Sequence, residues 1–314
     1  MPRKNTTTAI LLLLTLAGCR AQPQPLTLAL MGDLMLARGI AQAYPAGELS
    51  PALAAAAPSL RAADLALANL ESPLAVGQLL PSAGTDQPSG YDLCAAPHAL
   101  PALSDAGFDL LALANNHQDD CAPNGAGRTA GWLQDAGLTP IPPSTQSPPV
   151  IQACIQWLCA FLAFDDVAAP LDLPAAQKSV IEAAAQADLV IISVHWGAEY
   201  APAPNPRQLA LAQAFADAGA HLVWGHHPHV LQPVTWLQGI GQPYPTLVAY
   251  SLGNALFDQS MPDARRTALL QVTLTPAGVQ SVRAVPLVLS LPGWQLSLAE
   301  EGEKARILER LALP

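Results

Sequence analysis

The strongest constraint on the fold is a rhythm. Short apolar runs alternate with helical patterns, and each run stops at a polar residue able to bind a metal. Residues 26–31, 65–70, 109–114, 189–194 and 221–224 read as buried strands. Between them, 51–63, 97–106, 125–136, 179–187 and 206–218 read as helices, several ending near Gly107, Gly137 or Gly219, which suits a C-cap. Strand–helix–strand alternation argues for parallel pairing in an α/β layer fold. After residue 245 the pattern changes. Residues 246–250, 268–275 and 279–285 read as antiparallel strands with a Pro-Ala-Gly turn at 276–278, and 298–314 as an amphipathic helix packed on the domain. The expectation is one domain over 26–297, with a mixed sheet or two packed sheets.

The run ends carry the chemistry. They deliver Asp33, Glu71, Asn115-Asn116-His117, His195 and His226-His227-Pro228-His229. Parallel strands present their carboxyl ends at one edge, where open α/β folds place working residues. Carboxylates, imidazoles and one amide oxygen suit Mn, Fe or Zn, whereas an all-oxygen set would suit Mg or Ca. A carboxylate shared between two ions permits a dinuclear site with a spacing of about 3.5–4 Å. Asp33, Glu71, Asn116, His195, His227 and His229 are expected to converge, with Glu71 central. His227 and His229 form a same-side pair, so His226 is expected to point away. His98 reads as an exposed helix-start residue and His221 as a strand or core residue. Arg38 follows Asp33 by five residues, and it either faces the cleft to bind a phosphate or carboxylate or forms a surface ion pair. Asp120 and Glu199 are candidates to orient the histidines, and Asn254 either approaches the cleft or caps a turn.

Arg3 and Lys4, an apolar run over 9–17, and then Gly18-Cys19 make a secretion signal, too short for a spanning helix of about 20 residues. Leu16-Ala17-Gly18-Cys19 resembles a bacterial lipobox, which implies cleavage before Cys19 and its acylation; the alternative is an ordinary signal peptide with an incidental cysteine. Residues 19–25 then form a tether. Lipid anchoring would place the protein on the extracytoplasmic face of the bacterial membrane. Loss of residues 1–18 removes Arg3 and Lys4 and takes the formal net charge from −10 to −12. With 14 Lys+Arg spread thinly, that balance excludes a general nucleic-acid binder. Export puts Cys94, Cys121, Cys154 and Cys159 in oxidising surroundings, where three connectivities exist for two bridges. Cys154 and Cys159 bracket four residues of a strand-like stretch, which suits a hairpin staple and leaves Cys94–Cys121 as the other pair. Buried free thiols are the alternative.

Six stretches together resemble the CapA family, named for bacterial poly-γ-glutamate capsule synthesis proteins. They are Gly32-Asp33-Leu-Met-Leu-Ala-Arg38, Asn69-Leu-Glu71, Asn115-Asn-His-Gln-Asp-Asp120, His195-Trp-Gly-Ala-Glu-Tyr200, Gly225-His-His-Pro-His-Val230 and Tyr250-Ser-Leu-Gly-Asn254. The resemblance covers roughly 27–258. It implies a metallophosphatase-like (calcineurin-like) α/β fold of mixed β-sheets flanked by helices, holding one or two divalent transition metal ions. It further implies Asp33 and His229 on a first metal, Glu71 as the bridge, Asn116, His195 and His227 on a second metal, and His117 as the adjacent acid. Two departures stand out. Position 35 is Met where metallophosphatases have His, so the first metal has one ligand fewer. Asp120-Cys121-Ala122 replaces the family's Asp-Tyr-Gly. Three functions fit: a lipid-anchored hydrolase of a phosphoester-like anionic substrate; an assembly or export component for an anionic polymer, working with capsule synthesis proteins and binding carboxylates or cleaving an amide; and a binding module with a degenerate site.

Overall fold

A computed structural model describes residues 24–76, 93–121 and 124–313. Cys19, the expected signal segment over 1–18 and most of the expected tether lie outside the described residues. In chain order the strands are β1 (Leu26–Leu34), β2 (Leu65–Leu70), β3 (Leu110–Ala112), β4 (Thr139–Ile141), β5 (Val150–Cys154), β6 (Trp157–Asp165), β7 (Leu189–His195), β8 (Leu222–His226), β9 (Leu231–Gln238), β10 (Pro245–Leu252), β11 (Asn254–Leu256), β12 (Arg266–Thr275), β13 (Gly278–Ser290) and β14 (Gln295–Leu298). The helices are α1 (Arg38–Ala43), α2 (Ser50–Leu53), α3 (Ala57–Ala62), α4 (Leu100–Ala106), α5 (Gly125–Asp135), α6 (Leu173–Ala184), α7 (Pro206–Asp217) and α8 (Glu301–Leu311).

Two mixed sheets face each other. One has the order β14-β13-β12-β1-β2-β3-β4, with β11 pairing β1; the other has the order β5-β6-β7-β8-β10-β9. Pairing from β1 through β4 and from β6 through β8 to β10 is parallel. The late strands β12, β13 and β14 pair antiparallel onto the open side of β1.

Side-chain alternation explains why the early runs are apolar throughout. Leu28 and Leu30 point into the core between the sheets, while Ala29 and Met31 point to the helices outside. In the second sheet Leu189 and Ile191 face inward, and Val190, Ile192 and Val194 pack toward α6 and α7. Trp224 crosses the inter-sheet layer, where its Nε1 donates to the Met31 carbonyl at 2.8 Å. That bond clamps β8 to β1 two residues before His226 and Asp33.

Helix ends depart from the sequence expectation for identifiable reasons. The segment 51–63 divides into α2 and α3, and Pro58, which lacks the N–H needed inside a continuous helix, stands in the first turn of α3. Helix α6 starts at Leu173, six residues before the expected 179, because Asp172 caps it by accepting from the Ala175 N–H at 3.1 Å. Helix α7 begins as expected at Pro206, behind an Asn205–Gln208 capping box.

Candidate metal centre

The carboxyl ends of β1, β2, β7 and β8 meet where the two sheets come together. The site is therefore assembled from both sheets. Close backbone approach shapes it. A Cβ on Gly32 would stand 1.7 Å from the Gly253 carbonyl oxygen, and one on Gly225 would stand 2.2 Å from that of Tyr250. Only glycine fits immediately before Asp33 and His226. The pairing of β1 with β2 shifts register between Leu30 and Asp33, and the Asp33 N–H donates to Gly253 at 3.0 Å. This irregularity turns the Asp33 carboxylate into the inter-sheet space.

Glu71 is the hub. Its side chain is fully buried, and both carboxylate oxygens lack a hydrogen-bond partner. Its Oε1 lies 3.7 Å from His229 Nε2, 3.8 Å from His195 Nε2 and 3.9 Å from His117 Nε2. Two donors bound tetrahedrally to one ion at ~2.1 Å stand about 3.4 Å apart, so the His229 and His195 separations are close to those of ligands around a common cation. Glu71, His227 and His229 present ligand atoms within 4.8 Å of one another, and so do Asp33, Glu71 and His195. Glu71 belongs to both groups, the place a bridging carboxylate occupies. The grouping sets His227 beside His229, whereas the sequence reading placed it with His195. The His195 and His227 rings are also close, with centroids 4.9 Å apart.

The other expected ligands join this cluster. Asn116 Oδ1 lies 2.8 Å from His195 Nε2. Asp33 has its Oδ2 at 3.4 Å from His229 Nδ1 and accepts from the His227 N–H at 3.2 Å. His117 differs from the other imidazoles in exposure: its side chain is 17 % exposed, against 0 % for His195 and 3 % for His229. Its Nδ1 is held by Asp120 Oδ2 at 2.8 Å, so Nε2 faces Glu71. Asn254 Oδ1 meets His229 Nδ1 at 3.0 Å, which puts Asn254 behind the cluster. Glu199 stands exposed at the rim, where its charge favours protonated His227 and His229. Arg38 is at the edge of the site. Its guanidinium pairs with Asp258 and lies 5.5 Å over the Phe257 ring, while its charge still reaches Glu71. Met35 is buried, with its sulfur accepting from the Ala37 N–H at 3.1 Å.

Three residues were misplaced or missed. His226 does not point away: it is buried, with Nδ1 3.2 Å from Asp33 Oδ1. Strict alternation requires an extended chain, but His227 (φ +90°) and His229 (φ +56°) take left-handed conformations, and the resulting turn brings all three imidazoles to the carboxylates. Asn69 is buried and donates to Asp33 Oδ1 at 2.8 Å. Asn115 donates to the Leu70 carbonyl at 3.0 Å and accepts from the His117 N–H at 3.2 Å. A buried amide inside an otherwise apolar run was the available signal for Asn69. His98 is exposed at the start of a 3₁₀ turn over Pro97–Ala99, and His221 stacks on Tyr244 in the core.

Burial and neighbouring charge polarise the titrations. Burial pushes Glu71 well above the usual carboxylate range, opposed by His229. Burial also raises Asp33, but hydrogen bonds with His226 and His229 outweigh it and hold the carboxyl well below its ordinary value. Burial lowers His227 to about 4 and takes His195 well below the usual imidazole value, so both are neutral donors at pH 7. His229 is also lowered by burial, yet Glu71 and Asp33 outweigh this and lift it to about 9. A buried Glu71 carboxylate without hydrogen-bond donors, beside the Asp33 carboxylate and the neutral His195 and His227 imidazoles, forms a set that fits a divalent metal site.

The architecture is a metallophosphatase-like fold. Among solved structures, a phosphatase from Mycoplasma pneumoniae superposes with a TM-score of 0.53 at 13% identity, covering 84% of this chain and 94% of that one. The sequence profile of the bacterial capsule synthesis protein PGA_cap matches residues 27–259, and the chain belongs to that family. It is 30% identical to the capsule biosynthesis protein CapA of Bacillus anthracis over 286 residues, 84% of this chain and 67% of that protein. It is also 30% identical to the PGA biosynthesis protein CapA of Bacillus subtilis over 280 residues, 83% of this chain and 71% of that protein.

Proposed function

We propose that this capsule-synthesis family member is a metal-dependent hydrolase acting on an anionic substrate. The observation that carries the reading is Glu71, a buried carboxylate with two unpartnered oxygens ringed by three imidazole Nε2 atoms at 3.7–3.9 Å. Asp33, Glu71, Asn116, His195, His227 and His229 would hold the ions, with His226 beside Asp33. When bound, divalent cations there supply Lewis acidity toward a developing oxyanion and a nucleophile at neutral pH.

The chain's own residues supply the rest. Asp120 accepts from His117 Nδ1–H and leaves Nε2 directed at the reaction space, where a protonated His117 gives its proton to the leaving group. Asn69 and the His227 N–H fix the two Asp33 oxygens in different directions. Trp224 is buried and meets the His226 ring edge-on, with centroids 4.5 Å apart. With a net charge of −10 the protein repels anions at long range, so attraction is local, from the ions and from Arg38 at the rim.

Two bond types suit the site. A phosphoester matches the fold. A γ-glutamyl amide matches the family, since the Bacillus subtilis relative is named for PGA biosynthesis. Purified protein loaded with Mn, Fe or Zn and assayed on phosphomonoesters, phosphodiesters and γ-glutamyl amides tests the reading. Metal-dependent turnover of one class supports it, and loaded protein inert toward all three refutes it. We further propose export and acylation at Cys19, motivated by Leu16-Ala17-Gly18-Cys19. Radiolabelled palmitate in the wild type and its loss in Cys19→Ser would support this; a wholly soluble, unlipidated wild type would overturn it.

A further inference from the structure

We propose that the Cys94–Cys121 disulfide is a positioning device for His117, making proton donation at this centre sensitive to thiol reductants. The proposal deepens the hydrolase reading and rests on it for its kinetic part only.

The contacts around His117 form a closed circuit. The chain leaves β2 through Glu71 and Pro73. The Ala95 N–H donates to the Pro73 carbonyl, and the Ala75 N–H donates to the Ala95 carbonyl, both at 2.9 Å. This short bridge lays segment 93–96 beside the exit from Glu71. Cys94 is bonded to Cys121, with Cα atoms 5.1 Å apart. The neighbours of the two cysteines then meet: the Leu93 N–H donates to Asp120 Oδ2 at 2.7 Å. That same oxygen holds His117 Nδ1 at 2.8 Å, and His117 Nε2 returns to Glu71 Oε1 at 3.9 Å. The disulfide is the covalent link across the circuit. It keeps a backbone donor on the carboxylate that sets the imidazole's tautomer and direction.

The alternative is a bridge that only stabilises the fold. Position argues against it. The loop carrying His117 and Asp120 lies between β3 and α5, and Asp120 takes its backbone donor from the residue preceding Cys94. Both cysteines are half-buried, so a dithiol can reach them. Exchange with a dithiol passes two electrons and two protons to the bridge, giving two protein thiols and the cyclic disulfide of the reagent. Segment 93–96 then keeps its backbone bonds to 73–75 and its buried Leu93 and Ala95 side chains, the Leu93–Asp120 contact loses its covalent support, and His117 gains rotational freedom. Asp33, His195, His227 and His229 lie outside this circuit and would keep the ions in place, so their occupancy is expected to stay unchanged.

The test uses the zinc-loaded protein in a Cys154→Ala/Cys159→Ala background, so that Cys94–Cys121 is the bridge being reduced. Dithiothreitol should lower kcat about tenfold or more for a substrate with a poor leaving group, as for loss of a group orienting a metal-site imidazole. An activated aryl leaving group should be affected much less, bound zinc should be unchanged, and removal of the reductant should restore the rate. Cys94→Ala/Cys121→Ala should reproduce the reduced behaviour, and reduction of the parent replaces it if it does not fold. Equal loss for both leaving groups, or no loss, overturns the proposal. A second readout is independent of turnover. In ¹H–¹⁵N spectra His117 should show a hydrogen-bonded Nδ1–H when oxidised and an exchange-broadened one when reduced. An inert protein with that spectral change would refute the hydrolase reading and retain the positioning role; an unchanged His117 signal would refute the positioning role.

Discussion

Glu71→Gln separates a metal hub from a buried polar residue of the core, because the two predict opposite behaviour. Glutamine keeps the volume, removes the charge and cannot bridge two cations. In the metal-free protein the Glu71 oxygens have no hydrogen-bond partners, and burial raises the carboxyl well above its usual range. An unsatisfied buried group costs about 1–3 kcal/mol, so its replacement should leave the chelated protein as stable as the wild type or slightly more so, with lost attraction to His229 as the opposing effect. With a divalent ion at a hundred times its dissociation constant, the wild type gains about 2.7 kcal/mol. At roughly 2–4 °C per kcal/mol for a large domain, Tm rises by roughly 5–10 °C. In Glu71→Gln most of that increment should vanish. Scanning calorimetry of both proteins, with chelator and with Zn or Mn, measures all four states. The reasoning fails if the variant keeps the full metal-dependent increment, or if it is several kcal/mol less stable in chelator, since either result makes Glu71 structural.

Three further outcomes are expected. His117→Ala should retain its metal yet lose about 10²–10⁴-fold in turnover of substrates with poor leaving groups, by steady-state kinetics with parallel elemental analysis. Asn69→Leu should strip Asp33 of a donor and weaken metal affinity about 10–100-fold by chelator competition, with Glu71 still in place. His229 has a folded pKa raised to about 9, so its stabilising contribution is complete below its unfolded value of about 6.5 and is lost as pH climbs toward 9. The unfolding free energy from urea titrations in chelator should therefore fall between pH 6.5 and 9, by at most about 3 kcal/mol for His229, and bound metal, which displaces that proton, should remove the decline.

Much of the centre was legible because its residues interrupt apolar runs. Asp33, Glu71 and His195 stand at the ends of segments whose other side chains, Thr27 and Leu65 apart, are buried, and a charged group there is costly unless it has a task. The same pattern cannot say which sheet a strand joins: the apolar runs of β1 and β7 look alike, yet the strands lie in different sheets. His226 was misjudged because backbone conformation, not alternation, decides its direction, and two non-glycine residues with positive φ are not readable from side-chain type. Asn69 was hidden because its role is a hydrogen bond to Asp33, 36 residues away in sequence. The Cys94–Cys121 and Cys154–Cys159 pairing was one of three arithmetic options, and it is the one the fold contains. Its link to His117 depends on the Leu93–Asp120 contact, which no spacing rule encodes.

The central claim is a metal centre built on Glu71, and anomalous diffraction from crystals grown with the native metal content tests it most directly. Data collected on either side of the Mn, Fe and Zn edges should show one or two ions between Asp33, Glu71, His195, His227 and His229. If there are two, they should lie about 3.5–4 Å apart with Glu71 between them. Absence of anomalous density there after incubation with all three metals, or an ion bound without contact to Glu71, would contradict the account.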